Sequence, residues 1–255
     1  MVTTFLMGGL GNQMFQIAAA HSLALDNNDV AEFDFSKCYT PLQGHPSTKY
    51  KNNLFKNIID NPDLVIENIF EETSYFYSEI PYTKNLMLKG YFQNEKYFGK
   101  HQNNIFDLFY FNQEDIEKLN KSFDFDNNKY VSVQIRRGDY LKFTDIHPPC
   151  STEYYNQAID FFGKDYKFIF VSDDMNWVRN NFKDKNYYYF DTDNEVLSLT
   201  LLTLCNNSII SNSTFGWWGA YLNRNINKIV VAPKIWFGSK GPKESEIQLK
   251  EWINI

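Results

Sequence analysis

Two adjacent arginines at the end of a predicted strand are the first residues in the sequence that could do chemistry. In VSVQIRRGDY (131–140), apolar and polar residues alternate with the period of a strand up to Ile135, and Arg136 and Arg137 follow at once. A guanidinium presents a planar set of donors that matches phosphate or carboxylate oxygens. Neighbouring side chains of an extended chain point to opposite sides, so we expect only one arginine to face a ligand. The alternative is that both arginines pair with Asp139 and other carboxylates in a surface network.

A glycine-rich loop near the N-terminus offers a second place to hold an anion. GGLGNQMFQ (8–16) lies between a predicted strand and a predicted helix, where Gly9, Gly11 and their neighbours expose backbone amides at a helix start. Met14 stands where the dinucleotide-binding fingerprint has its third glycine. A plain tight turn, with Asn12 and Gln13 as helix caps, is the alternative interpretation.

Hydroxyl side chains follow another short apolar strand. In SNSTFGWWGAYLN (211–223), Ser213 and Thr214 precede or begin a predicted helix, an arrangement that can donate hydrogen bonds to phosphate. Trp217 and Trp218 are consecutive, and a helix cannot aim both at one surface. At least one of them is therefore predicted to lie in the core.

Two carboxylate pairs allow a metal-binding interpretation. FVSDD (170–174) ends a predicted strand, and DTD (191–193) has the Asp-x-Asp form that can hold Mg²⁺. Both segments also suit helix caps and turns, which is the favoured interpretation for DTD. The four histidines show no ligand spacing, and no hydrolase, metalloprotease or P-loop motif occurs. The sequence therefore predicts no metal site.

The elements that must position these residues alternate between strand and helix. A strand at 2–7 and a helix at about 12–25 open the chain, and LMLKGYFQNEKYF (86–98) is predicted as a strand that breaks at Gly90. From residue 130 onwards, strands and helices alternate up to a strand at 228–232, which predicts parallel sheets covered on both faces. We expect two Rossmann-like domains, 1–127 and 128–255, facing a central cleft.

Composition excludes several classes of partner. The net charge of -6 over 255 residues argues against a nucleic-acid partner, which usually requires a basic face. No apolar run reaches the roughly 20 residues of a membrane-spanning helix, and the first residues lack the features of a signal peptide. We therefore expect no transmembrane segment and a cytoplasmic protein whose three cysteines are reduced thiols.

Five motifs in this order resemble the inverting alpha-1,2-fucosyltransferase family: GGLGNQMFQ, GYFQNEKYF, VQIRRGDY, FVSDD and SNSTFGWWGAYLN. The resemblance covers essentially the whole chain. It implies a GT-B fold with an N-terminal domain for a glycan acceptor and a C-terminal domain for GDP-fucose. It also implies transfer to the 2-hydroxyl of a galactose-type acceptor, with inversion and without a metal or other cofactor.

The same resemblance assigns roles to individual residues. Arg136 resembles the cation that neutralises the leaving β-phosphate, and Asp139 a residue that orients it or accepts the proton from the acceptor. The residues implied to bind the donor are Gly9, Gly11, Asn12, Gln134, Arg137, Asp173, Ser198, Ser213 and Thr214.

Four positions depart from the pattern of the family. Gln134 replaces a usual His, Ser198 an Asp thought to read guanine, Gly216 a usual Ser, and Asn207 a common His. These departures leave open a different deoxysugar nucleotide as the donor. A glycan-binding protein without activity, which would use the aromatic surface alone, and a metal-dependent transferase built on DTD are the remaining alternatives. Residues 26–85 are expected to shape the acceptor pocket, but no pattern there names a glycan.

Overall fold

The computed structural model describes residues 1–40 and 44–255, which divide into two units. The first unit contains Met1–Phe111 and Glu244–Leu249, and the second contains Asn112–Lys243 and Lys250–Ile255. The predicted boundary near residue 127 falls inside the second unit. The assignment of the two units to acceptor and donor stays a prediction.

The first unit is built on short parallel strands around one long helix. Strands β1, β5 and β4 form a parallel sheet in that order, and β2 and β3 form a separate parallel pair. The bounds are β1 (Val2–Thr4), α1 (Leu10–Asp26), β2 (Glu32–Phe33), β3 (Ile59–Asp60), β4 (Asn68–Glu71), β5 (Leu86–Lys89) and α2 (Gln102–Leu108). The predicted first strand thus ends at Thr4, and Met7 makes only an isolated bridge with Tyr39.

The second unit contains one six-stranded parallel sheet in the order β11-β10-β9-β6-β7-β8. Its strands are β6 (Tyr130–Ile135), β7 (Lys167–Ser172), β8 (Tyr187–Tyr189), β9 (Asn207–Ile209), β10 (Val230–Ala232) and β11 (Ile253–Asn254). Its helices are α3 (Gln113–Phe123), α4 (Thr152–Phe162), α5 (Met175–Asn181), α6 (Glu195–Leu204) and α7 (Thr214–Tyr221). The predicted alternation of strands and helices in this half is confirmed, while β11 was not predicted.

Strand β6 lies inside this sheet, between β9 and β7, and both of its faces are covered. All six of its residues are buried. Val131, Val133 and Ile135 pack into the cluster that holds residues of α4 and α5, whereas Tyr130 packs with residues of α3 and α6 on the other face. Each fully buried side chain of this kind stabilises the fold by about 1.5–3 kcal/mol. The predicted α/β class with parallel sheets is confirmed.

Side-chain caps explain where several helices begin. Asn112, Ser151, Asp174 and Asn194 each accept a hydrogen bond from a backbone N–H in the first turn of the following helix. Caps of this type are worth about 1 kcal/mol each. Asp174, the last residue of FVSDD, is therefore a helix cap, as the alternative interpretation of that motif expected.

The strand order of the second sheet contains one reversal. From β6 the chain moves outward through β7 and β8, and from β9 it moves outward in the opposite direction through β10 and β11. In open parallel sheets, ligands bind outside the carboxyl ends of the strands at such a switch point.

In the part of the chain that the structure describes, no helix has the length and apolar character needed to span a bilayer.

Candidate functional site

The reversal between β6 and β9 brings together three motifs that are far apart in the sequence. Arg136 follows β6, Asp173 follows the neighbouring strand β7, and Ser213 and Thr214 follow β9 on the other side. Because the strands are parallel, their carboxyl ends meet at one edge of the sheet. This edge is the candidate site of the second unit.

Arg136 is held between two carboxylates. Its Nη2 lies 2.5 Å from Asp139 Oδ1, and its Nη1 lies 3.0 Å from Asp173 Oδ2. Only the contact with Asp139 has the geometry of a hydrogen bond, whereas the contact with Asp173 is an ion pair; the other guanidinium N–H groups have no hydrogen-bond partner within residues 1–40 and 44–255. The side chain is 27% exposed. Arg136 is thus fixed in orientation and keeps donors for a ligand.

Arg137 points elsewhere and serves the scaffold. Its backbone N–H donates to Asp173 Oδ1 at 2.8 Å, and its Nε donates to Asp174 Oδ2 at 3.3 Å. Its guanidinium lies 3.9 Å from the centre of the Trp177 ring on α5. The two side chains have different partners, and Arg137 joins the end of β6 to the start of α5; which arginine faces a ligand stays a prediction.

The charge balance of this cluster is not basic. The two guanidinium groups face three carboxylates, those of Asp139, Asp173 and Asp174, which gives a net charge of -1. The carboxylate network considered as the alternative is therefore present. Any affinity for phosphate must come from directed hydrogen bonds and from preorganised donors, since net charge does not supply it.

Asp139 is placed to orient Arg136 and is poorly placed to accept a proton. Its Oδ1 accepts from Arg136, and its Oδ2 is buried with no hydrogen-bond partner among the described residues. An acceptor hydroxyl cannot reach a carboxylate oxygen that is enclosed in this way unless the side chain moves. The geometry favours the orienting role over the role of base.

Tyr140 and His147 complete the surroundings of Arg136, and the sequence did not single them out. The Tyr140 hydroxyl donates to the carbonyl of Asn212 at 3.1 Å, and the His147 ring stacks on the Tyr140 ring with 4.8 Å between centres. Burial raises the pKa of Tyr140 and lowers the pKa of His147. Tyr140 therefore ties the segment after Arg136 to the loop after β9.

The loop between β9 and α7 ends at Ser213, whose side chain does not cap the helix. Ser213 is the N-cap residue of α7, but its side chain makes no capping hydrogen bond. Asn212 fixes the loop by donating to the carbonyls of Pro148 and Trp236 at 3.0 and 2.9 Å. The amides of a helix start carry partial positive charge. Ser213 is thus the N-cap residue of α7 and Thr214 its first helical residue, and their role as ligands of an anion stays a prediction.

Gln134 and Ser198, which were predicted to bind the nucleotide, lie in different environments. Gln134 is 4% exposed, and its Oε1 accepts from Ser211 Oγ at 2.6 Å and from the Ser211 N–H at 3.3 Å. Ser198 lies within α6 and is 6% exposed. Gln134 is part of the edge between β6 and β9, whereas Ser198 belongs to the covering helix.

The glycine loop of the first unit meets the GYFQNEKYF segment. Gly8 has φ +78°, Gly9 is the N-cap residue of α1, and Gly11 lies inside that helix. Gln93 Nε2 donates to Asn12 Oδ1 at 2.9 Å. The carboxyl ends of the neighbouring strands β1 and β5 thus bring these two motifs together.

Gln13 is a structural residue. It is fully buried, and its Nε2 donates to the carbonyls of Gly8 and His45, both at 2.9 Å, while its Oε1 accepts from Ser47 Oγ at 2.8 Å. The interpretation of Gln13 as a helix cap is wrong, because its side chain bonds to loops instead of the first turn.

Glu72, like Tyr140 and His147, is a residue that sequence reasoning missed. Its carboxylate accepts from the N–H groups of Tyr91 and Phe92 at 2.7 and 3.0 Å. Phe92 is fully buried with φ +52°, a conformation that costs a non-glycine residue free energy. Burial raises the pKa of Glu72, although these hydrogen bonds oppose the shift. Glu72 therefore stabilises the turn that carries Gln93.

The DTD segment forms a turn, which was the favoured interpretation of its sequence. Thr192 Oγ1 accepts from the N–H of Asn194, and Asp191 pairs with Arg179 at 3.3 Å on the surface. Within the described ranges, no group of three or more His, Cys, Asp or Glu side chains could hold a metal ion.

Trp217 and Trp218 are both fully buried, so both belong to the core.

The whole chain is similar to one protein family. The family model described as glycosyl transferase family 11 matches residues 1–255. The O-antigen biosynthesis glycosyltransferase WbnK of Escherichia coli is 31% identical, over 98% of this chain and 99% of that protein. An alpha-1,2-colitosyltransferase of Escherichia coli is 29% identical, over 100% of this chain and 98% of that protein.

Shorter and more distant similarities are also present. Galactoside alpha-(1,2)-fucosyltransferase 1 of Bos taurus is 35% identical, over 36% of this chain and 29% of that protein. The crystal structure of the fucosyltransferase NodZ from Bradyrhizobium superposes with a TM-score of 0.51 and 12% identity, over 86% of this chain and 91% of that chain. This structural similarity confirms the predicted GT-B type of α/β fold.

Proposed function

Because the chain belongs to glycosyl transferase family 11 and is a glycosyltransferase, we propose that it transfers L-fucose from GDP-β-L-fucose to a galactose-type acceptor. The new bond forms at the acceptor 2-hydroxyl with inversion, and no metal cofactor takes part. The observation that carries the proposal is the guanidinium of Arg136, fixed at the same edge of the second sheet as Ser213, whose hydroxyl does not cap α7, at the switch point of the strand order.

The residues at this edge take separate roles in the proposal. Arg136 donates to the β-phosphate, and Ser213, Thr214 and the first amides of α7 hold the diphosphate from the other side. Asp139 and Asp173 keep the guanidinium in place, since Asp139 accepts a hydrogen bond from it at 2.5 Å and Asp173 forms an ion pair with it at 3.0 Å. A donor held in advance stabilises charge that develops during the reaction without a cost of reorganisation at that moment.

The reaction is a single displacement. The oxygen of the acceptor 2-hydroxyl bonds to C1 of fucose while the bond between C1 and the β-phosphate oxygen breaks. That bond's electron pair stays on the phosphate, next to Arg136, and GDP leaves. The acceptor hydroxyl releases its proton to a base or to solvent. Attack from the face opposite the leaving group converts the β-linked donor into an α-linked product.

A different deoxysugar donor is the second candidate. The relative that is 29% identical over the full chain is described as an alpha-1,2-colitosyltransferase. Colitose lacks the hydroxyl that fucose carries at C3, so the two sugars differ at one position. The departures at Gln134 and Ser198 are consistent with a donor other than GDP-fucose.

A panel of donors and acceptors tests the proposal. We would incubate the protein in EDTA with GDP-fucose, GDP-colitose, UDP-galactose or a dTDP-deoxysugar and with several galactosides, and analyse the products by mass spectrometry. We expect a fucosylated galactoside, with the new linkage at the 2-hydroxyl by NMR. Transfer from GDP-colitose alone would favour the second candidate, and transfer only after addition of Mg²⁺ would support a metal-dependent enzyme.

A glycan-binding protein without activity requires a separate control. It would bind the galactosides in calorimetry, and replacing Arg136 with Ala would not change that affinity. Absence of product with every donor, together with glycan affinity that does not depend on Arg136, would contradict the proposed transferase.

A further inference from the structure

Gly216 lies directly against Gln134 at the candidate site. A Cβ atom added at Gly216 would lie 2.5 Å from Gln134 Oε1 and 3.1 Å from its Cδ; real Cβ contacts essentially never show the first distance, so the Gln134 amide, the far end of a flexible side chain, would have to shift. Gly216 is in the interior of α7 and does not have a positive φ, so the backbone itself does not require glycine. Glycine also weakens a helix relative to alanine. The position therefore provides space for the neighbouring side chain.

The orientation of the Gln134 amide is determined by its partners. The N–H and the hydroxyl of Ser211 both approach the same atom of Gln134, at 3.3 and 2.6 Å. A backbone N–H can only donate, so this atom is the amide oxygen. The amide nitrogen makes no hydrogen bond with any residue that the structure describes. It remains a donor at the edge between β6 and β9.

We propose that Gly216 and Gln134 form one specificity element of the donor site. The absent side chain at Gly216 leaves the volume in which the Gln134 amide lies, and Ser211 turns the amide so that its nitrogen donates to an oxygen of the bound nucleoside diphosphate. The inference rests on the proposed function, because it assigns the nucleotide of the donor as the ligand.

The contact predicts that changes at the two positions are not independent. Gly216→Ala displaces the amide from Ser211 and removes the hydrogen bond to the nucleotide, and Gln134→Ala removes the same bond directly. Each single variant is expected to weaken GDP binding about tenfold, the effect of one hydrogen bond. The double variant is expected to lose about tenfold as well, since the second change has nothing left to disturb.

Gly219→Ala is the matched control on the same helix. A Cβ atom at Gly219 would lie 2.6 Å from the Cβ of Leu202 on α6, so the substitution disturbs the packing of the two helices. It is expected to lower the thermal midpoint while GDP affinity stays within about twofold. If this variant does not fold, the comparison of Gly216→Ala with and without Gln134→Ala still decides the question.

The test is a double-mutant cycle measured by calorimetry with GDP in EDTA, with 2′-deoxy-GDP and GMP as further ligands. Equal losses in the single and double variants support the proposal, and the ligand that abolishes the effect of Gln134→Ala identifies the oxygen that it contacts. A loss of about a hundredfold in the double variant, or unchanged affinity in Gly216→Ala, would overturn it.

Two results separate this inference from the proposed function. If the wild type binds UDP or dTDP in place of GDP, the proposed donor is wrong and the same cycle with that nucleotide decides the inference. If no nucleotide binds, both proposals fail as statements about a donor. Urea unfolding of the wild type, the two single variants and the double variant then shows whether the two residues are in steric contact. If they are, the effects of the two substitutions on the free energy of unfolding do not add.

Discussion

Replacing Arg136 with Ala is expected to reduce transfer far more than it reduces stability. The substitution changes the net charge of the cluster from -1 to -2 and leaves Asp139 and Asp173 without the guanidinium that pairs with them. Loss of one preorganised donor to the leaving group lowers kcat by roughly 10²- to 10³-fold. Arg136→Lys keeps the charge but not the planar set of donors, so it is expected to recover only part of that loss.

The loss of stability in Arg136→Ala has a different cause from the loss of rate, and a second substitution can reverse it. Without Arg136, Asp139 keeps a buried carboxylate with no cation beside it, which costs about 1–3 kcal/mol of unfolding free energy. The double variant Arg136→Ala with Asp139→Asn removes that charge. It is expected to recover most of the lost stability and none of the lost rate.

Initial rates at saturating donor and urea unfolding measured on the same preparations separate the two effects. The reasoning would be refuted if folded Arg136→Ala kept kcat within about threefold of the wild type. It would also be refuted if the double variant, which restores stability, restored transfer. Either result would mean that the guanidinium supports the fold and does not act on the leaving phosphate.

Three further predictions follow from single contacts. Ser213→Ala is expected to weaken GDP binding about tenfold with little change in stability, because the Ser213 hydroxyl does not cap a helix. Ser151→Ala, which removes the cap of α4, is expected to cost about 1 kcal/mol of unfolding free energy and to leave GDP binding unchanged. Calorimetry with GDP and urea unfolding check both variants. Burial lowers the pKa of His147 below its unfolded value of 6.5, so the unfolded state binds the proton first and stability should fall as pH drops below 6.5. His147→Gln should make that fall smaller in unfolding curves measured between pH 7.5 and 5, and an unchanged pH dependence would contradict this. Glu72→Gln is expected to raise the KM for the donor more than it lowers kcat, since the turn that carries Gln93, the partner of Asn12, loses its carboxylate; an unchanged KM for the donor would argue against this role.

The sequence predicted the strands and helices of the second unit better than it predicted the contacts between their side chains. The alternation in β6 identified the strand, and the rule that ligands bind at carboxyl ends of parallel strands placed Arg136 at an edge. The sequence could not show that the Arg137 guanidinium would lie on the Trp177 ring, because that contact joins residues about forty positions apart in the chain. The contact between Gly216 and Gln134 was invisible for the same reason, although both residues were noted as departures.

The first unit was harder to predict because its strands are short and its key contacts are irregular. Gln13 looked like a helix cap, but its hydrogen bonds go to two loops that the sequence pattern does not bring together. Glu72 gave no signal, since only the turn at Phe92 explains its burial. The segment Glu244–Leu249 belongs to the first unit through contacts such as that of Glu246 with Lys96, which no local pattern indicates.

The most direct test of the account is the rate of transfer from GDP-β-L-fucose to a galactoside by protein that has been treated with EDTA. The account predicts that the rate equals that of protein supplied with Mg²⁺, because Arg136 and the start of α7 stabilise the departing diphosphate. A rate that disappears in EDTA and returns with Mg²⁺ would contradict the central claim.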